Sequence, residues 1–168
     1  MEFDKVIKER FSTRDFSYKK VEKEKLDMIL EAGRLAPTAK NNQPIKIYVV
    51  VSEEGLNKID KASPCRYGAS TVLLVCGDVE SAFKKEDYST YEMDASIVTT
   101  HMMLEATNIG VNSIWVELFD KDVIREEFNI PENLIPVCLL PLGYKSDTCE
   151  PGPMHSIRKA IEEIVEYK

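Results

Sequence analysis

Histidine is scarce in this chain: His101 and His155 are the only two, far apart and outside any helical i, i+4 pair, so each reads as structural rather than as a metal ligand. Cysteine is nearly as sparse. Cys65, Cys76, Cys138 and Cys149 show no C-x-x-C spacing, and Cys76 and Cys138 fall inside apolar runs. They read as buried free thiols, which sets aside both a disulfide framework and a metal centre. No segment approaches the roughly 20 apolar residues that a membrane span requires. The opening Met1-Glu2-Phe3-Asp4-Lys5 is charged at once, unlike a signal peptide, and the expectation is a cytoplasmic protein. Basic residues are the minority, 22 against 29 acidic, and the resulting charge of −7 argues against non-specific binding to nucleic acid or anionic membrane. Gly-x-Gly-x-x-Gly, Gly-x-x-x-x-Gly-Lys-Ser/Thr, His-Glu-x-x-His and Gly-x-Ser-x-Gly are all missing, which removes the chemistries those motifs carry.

What remains is the composition of a globular protein, 43% hydrophobic and 30% charged over 168 residues, enough for one sizeable core and too short for two ordinary domains. Residues 1–168 are read as one domain. Apolar spacing predicts helices over Phe3 to Arg10, Val21 to Leu35, Glu54 to Lys61, Tyr91 to Ile109 and Lys121 to Phe128. Strands are expected over Ile45 to Val51, Thr71 to Cys76, Asn112 to Phe119 and Ile135 to Leu142, with a polar excursion from Asp78 to Tyr91. Gly110 is a natural cap for the long helix. Ser156 to Glu166 closes the chain as a helix or an extended arm. The long helix is apolar on more than one face, which predicts a central position or a subunit interface. Strands separated by helices give an α+β layer fold.

Two polar segments stand out against this background. Ala36-Pro37-Thr38-Ala39-Lys40-Asn41-Asn42-Gln43-Pro44 joins a helix to a strand between two prolines, each of which pushes the residue before it toward extended geometry. One hydroxyl and three carboxamides are thereby presented together, able to donate and accept toward a heterocycle. An Asn-rich junction of this kind also serves as a plain turn. In Glu9-Arg10-Phe11-Ser12-Thr13-Arg14-Asp15-Phe16, two guanidiniums flank a hydroxyl, a set suited to phosphate. Alone, that set equally fits surface ion pairs of Arg10 and Arg14 with Glu9 and Asp15.

Taken together, Arg-x-Ser-x-Arg followed by Ala-Pro-Thr-Ala-x-Asn-x-Gln-Pro resembles the paired signature of the nitroreductase family of FMN-dependent oxidoreductases. Weaker likeness continues through Glu117-Leu118-Phe119-Asp120, Pro141-Leu142-Gly143-Tyr144 and Arg158, where Leu118 stands for the family's usual Gly and Lys145 for its Pro after the aromatic. The resemblance implies a nitroreductase-like mixed central sheet flanked by helices, with the long helix at the core of a homodimer. It also implies FMN held by Arg10, Phe11, Ser12, Arg14 and Arg158 at its phosphate. Pro37, Thr38, Ala39, Asn41 and Gln43 would reach it from the neighbouring subunit, and Glu117, Leu118, Leu142 and Gly143 would lie along it. Leu118 would place a backbone N–H near flavin N5. Glu117 reads equally as a polar strand residue, and Gly143 as a turn residue of positive φ. Tyr88, Tyr91 and Trp115 could line a substrate slot, although packing is the commoner fate of aromatics and is favoured for Trp115. The implied activity passes hydride from NADH or NADPH through flavin to a small electron-poor acceptor such as a nitroaromatic or quinone. No side chain is assigned as an obligatory acid or base. A non-catalytic flavin-binding protein on the same fold is the alternative.

Overall fold

The computed structural model describes residues 1–168, and at its centre two strands, β2 (Thr71–Asp78) and β6 (Leu134–Gly143), pair antiparallel. Of their residues only Asp78 and Ile135 escape burial. Strands covered on both faces carry unbroken apolar runs, which is how both stretches read in the sequence. Side chains alternate between two layers. Val72, Leu74 and Cys76 meet Ile59 and Ala62 of α3 (Glu53–Ala62) and Ile124 of α5 (Lys121–Phe128). Leu73 and Val75 meet Ile29 of α2 (Lys23–Arg34) and Ala95, Val98 and Met102 of α4 (Tyr91–Asn108). β1 (Ile45–Val50) flanks β2, and β5 (Asn112–Ser113) flanks β6, both antiparallel. A parallel bridge from Ser12 to Ser113 makes the sheet mixed. α1 (Phe3–Glu9) packs beside α4. This is the α+β arrangement of a mixed sheet between helices that the sequence predicts.

One expectation needs correction and two gain detail. The strand expected over Asn112 to Phe119 is regular only at Asn112 and Ser113, with one isolated bridge further on between Val116 and Leu139. Pro141 of β6 is the cause: its carbonyl accepts from Ile114 at 3.2 Å, but it has no N–H to return, so the ladder breaks there. The polar excursion contains a small hairpin, β3 (Lys84–Lys85) with β4 (Tyr88–Ser89). Of the two readings of the C-terminal segment, the structure takes the arm, exposed and with a single 3₁₀ turn at Ile161–Glu163. Gly110 caps α4 with φ +75°, as expected.

No helix is long and apolar enough to cross a membrane. The four cysteines are free. Burial, and then the neighbouring Cys138, pushes the Cys76 thiol up to about 12, while burial pushes Cys138 up to about 11. Neither supplies a thiolate at neutral pH.

One polar tie joins the end of β6 to the start of α2. The Tyr144 hydroxyl donates to the Glu22 carboxylate and accepts from Lys25 Nζ at 2.9 Å, while Lys19 Nζ stands 3.9 Å from the ring centroid. The Tyr144 hydrogen bond, ahead of a backbone hydrogen bond and Lys19, holds the Glu22 carboxyl down to about 2. A folded-state value depressed in this way stabilises the protein above the unfolded pKa, and the stabilisation is lost as pH falls through the folded one. Glu22 is solvated, so the effect is small. The stability difference between wild type and Tyr144→Phe is therefore expected to be constant above about pH 5 and to shrink toward about pH 2 in urea unfolding. A difference that holds constant down to pH 2 contradicts this role.

Candidate functional site

After α1 the chain runs extended beside β5, with Thr13 N–H donating to Ser113 O at 3.1 Å. Extended backbone alternates its side chains. Thr13 is fully buried, and Arg10, Ser12 and Arg14 share the opposite side, where they line a cavity of about 350 Å³ with Phe11, His155 and Arg158. Gly152, Pro153 and Met154 complete its wall. Five of the sequence-predicted site residues thus converge, including Arg158 from the far end of the chain.

The electrostatics of this cavity are unbalanced. None of the three arginines pairs with a carboxylate: Glu9 pairs with Lys5, and Asp15 accepts from Ser146, so the surface-pair reading fails. The protein acceptors near these guanidiniums are neutral, backbone carbonyls and, beside Arg14, the Tyr67 hydroxyl. Arg158 Nη1 lies 2.6 Å from Ile157 O, and Arg14 Nη1 is 3.5 Å from Ser12 O. Arg10 is held below the usual guanidinium value, first by burial and then by the like charge of Arg158. An anion bound here would relieve both costs, and a phosphate accepts from such forks in pairs.

His155 was not legible as a site residue. It meets the Phe11 ring edge-on at 6.3 Å between centroids. A lone histidine carries no pattern; its only signal is a place three residues before Arg158.

The Pro37–Gln43 segment forms a second, separate feature. Ala39–Asn41 makes a 3₁₀ turn, and Lys40, Asn41 and Gln43 take φ of 52°, 56° and 53°. Three left-handed non-glycine residues among four store strain of the kind concentrated at ligand sites. Cross-links hold the shape. Thr38 Oγ1 accepts from Gln43 N–H at 3.0 Å, Gln43 Nε2 donates to Asn41 O at 3.2 Å, and Asn42 Nδ2 donates to Ser81 O at 3.0 Å. Asp94 Oδ1 accepts from Ala39 N–H at 2.8 Å, a contact the sequence did not foretell. Pro37, Asn41 and Gln43 are exposed. Thr38 and Gln43 border a cavity of about 370 Å³ against α2, β1 and α4, and it shares no lining residue with the arginine cavity.

The remaining candidates lie apart from both. Glu117 is exposed in a polar concavity with Glu92, Trp115 and Lys121, and the Leu118 side chain is also exposed. Leu118 O accepts from Ser63 Oγ at 2.7 Å, while Leu118 N–H has no protein acceptor. That leaves a backbone donor free at the position the resemblance assigns to flavin N5. Leu142 is a fully buried core side chain, so only its backbone could face a ligand. Gly143 sits within β6 without positive φ, so the turn reading fails. A Cβ there would stand 2.9 Å from Phe16 Cδ1, and glycine is needed for that close approach. Trp115 packs against the core, as expected, and so does Tyr91, whereas Tyr88 is exposed on the hairpin.

Comparison with known proteins bears on the family and the fold. The family pattern described as the Nitroreductase family matches residues 7–66 and 63–144. A nitroreductase family protein of Clostridium difficile 630 is 42% identical and superposes with a TM-score of 0.94, covering 100% of this chain and 99% of its own. An Archaeoglobus fulgidus protein with the provisional designation NADH dehydrogenase/NAD(P)H nitroreductase is 32% identical over 150 residues, 85% of each chain. A protein of Exiguobacterium sibiricum 255-15, solved in complex with FMN, is 25% identical with a TM-score of 0.86 over 100% of this chain and 98% of its own.

The unneutralised arginine cluster generates a direct test. Inorganic phosphate is expected to raise the melting temperature of the flavin-free protein saturably, by about 5–10 °C at a ~100-fold excess over its Kd, with sodium chloride of equal ionic strength as control. Arg10→Ala or Arg158→Ala is expected to remove most of that rise. An equal rise in chloride, or in both variants, would show that the cavity is not an anion site.

Proposed function

This chain belongs to the nitroreductase family, and from that premise we propose that it is an FMN-dependent oxidoreductase taking hydride from NADH or NADPH and delivering it to an electron-poor acceptor such as a nitroaromatic or quinone. The observation that carries this reading is the convergence of Arg10, Arg14 and Arg158, none with a carboxylate partner, on one cavity of about 350 Å³ beside Ser12. When bound, FMN would supply the redox centre, as is usual where a cofactor carries the chemistry. The protein's share is placement. Arg10, Arg14 and Arg158 neutralise the phosphate, Phe11 and Ser12 border it, and the carboxamides of Asn41 and Gln43 donate and accept toward the ring system or ribityl chain. The free Leu118 N–H offers a donor at the reacting edge. Glu117, Leu142 and Gly143 would line the same region, the last two through backbone alone.

The reading includes a homodimer. Within one chain the arginine cavity and the Thr38–Gln43 loop are separate, so one flavin touching both is served by loops from opposite chains. The apolar surface supports a second copy. Met93 and Ile97 of α4, Phe3 and Ile7 of α1, and Ile157 and Ile161 of the C-terminal arm are all exposed in the single chain. A net charge of −7 disfavours nucleic-acid partners, and a cytoplasmic location belongs to the same proposal.

The purified protein is expected to bind FMN stoichiometrically and more tightly than riboflavin, and to lose flavin colour rapidly when mixed anaerobically with NADH or NADPH in stopped flow. Asn41→Ala and Gln43→Ala are each expected to weaken FMN binding by about 1 kcal/mol with the fold intact. Equal riboflavin affinity at low salt would remove the phosphate role. Unchanged affinity and unchanged reduction in both loop variants would remove the loop from the site. Bound FMN that neither nucleotide reduces would favour the non-catalytic flavin-binding protein.

A further inference from the structure

Asp94 is a buried carboxylate that the proposed reaction does not use. It is only 2% exposed and has no cationic partner. A buried charge of this kind is costly unless hydrogen bonds satisfy it. Three features do so here. Oδ1 accepts from Ala39 N–H at 2.8 Å, Oδ2 accepts from the Thr90 hydroxyl at 2.7 Å, and the residue lies in the first turn of α4, where the helix dipole favours negative charge.

The Ala39 contact joins residues 55 positions apart, and its chemistry is that of a missing cap. Ala39 opens the 3₁₀ turn, so its N–H has no acceptor within that turn. Thr38, at the capping position, makes no capping hydrogen bond, and its hydroxyl accepts from Gln43 N–H. Asp94 supplies the acceptor from outside. The turn it holds is the one where Lys40 and Asn41 are left-handed, followed by left-handed Gln43, and such backbone persists only when its surroundings over-determine it. α4 is the rigid element available, packed against α2, β2 and β6.

We propose that Asp94 is a positioning residue for flavin binding: from the buried first turn of α4 it caps the Pro37–Gln43 loop and fixes the strained backbone that sets the directions of the Asn41 and Gln43 carboxamides. The inference rests on the flavin reading above. It predicts a difference between two substitutions at one buried position. Asp94→Ala removes the acceptor. Asp94→Asn keeps an oxygen for Ala39 N–H and offers its N–H₂ to Thr90 Oγ1, whose own hydrogen can turn to Phe83 O, 3.5 Å away.

The test uses the full-length protein. FMN affinity comes from quenching of flavin fluorescence, the environment of bound flavin from its visible spectrum, and protection of the Ala39 amide in flavin-free protein from hydrogen exchange. Asp94→Ala is expected to weaken FMN binding about tenfold or more, to shift the bound-flavin spectrum and to expose the Ala39 amide. Asp94→Asn is expected to retain affinity within about threefold, the wild-type spectrum and the protected amide. Folded Asp94→Ala protein with wild-type affinity and a protected Ala39 amide would overturn the proposal, as would folded Asp94→Asn protein as defective as the alanine variant. If the alanine variant does not fold, Asp94→Asn decides alone: retained binding supports the cap, and lost binding overturns it. A wild-type protein that binds no FMN defeats the functional reading instead. The exchange of the Ala39 amide then still decides whether Asp94 caps the loop.

Discussion

Because β2 and β6 are buried on both faces, their antiparallel pairing is the constraint on which everything else in this protein depends. Leu73 and Val75 on one side and Val72, Leu74 and Cys76 on the other give each helical layer its seat. A shift of one residue would exchange the two sets of side chains and fit neither layer. The pairing is not uniform. Its register slips at Val75 and Cys76, opposite Pro136, where β6 again lacks a backbone N–H. Both prolines of β6 mark local irregularities, Pro136 in the pairing with β2 and Pro141 in the pairing with β5. At its far end Pro141 ends the regular pairing with β5, and the chain is freed toward Glu117 and Leu118.

The sheet also fixes where the charges go. The Arg10–Arg14 segment is held by the Ser12–Ser113 bridge and by Phe16 N–H donating to Tyr67 O. Arg10, Ser12 and Arg14 are thereby kept on one side while Thr13 is buried. The loop between Pro37 and Pro44 is held from a different direction, by α4 through Asp94 and by the 78–83 segment through Asn42. Two rigid recognition elements with separate supports suit a ligand that spans subunits, since neither needs to move when the other is engaged.

Much of this was legible in the sequence, for physical reasons that differ by element. The helices were readable because α2 and α5 carry one apolar stripe each, and α4 carries more than one, which matches its buried position. β1, β2 and β6 were readable as dense β-branched or apolar runs. The strand after Asn112 was overread because its own residues are good strand formers, while the defect lies in its partner's Pro141. The arginine cluster was legible through residue type and spacing, but its lack of counter-ions was not, since Glu9 and Asp15 sit beside it in the chain and turn elsewhere in space. The left-handed backbone at Lys40 and Gln43 gave no signal, because neither residue favours that region. Asp94 was hidden for the opposite reason: an acidic residue in a first helical turn is ordinary, and nothing local marks it as reaching a loop 55 positions away.

The central claim is that one flavin is held by the arginine segment of one chain and the amide loop of another. Its most direct test mixes two individually defective proteins, Arg14→Ala and Asn41→Ala, under conditions where subunit exchange is confirmed. Each mixed dimer then carries one site with both elements intact and one with both removed. The account predicts partial recovery of FMN binding in the mixture. No recovery despite confirmed exchange, or a monomer by light scattering that retains stoichiometric FMN, would contradict it.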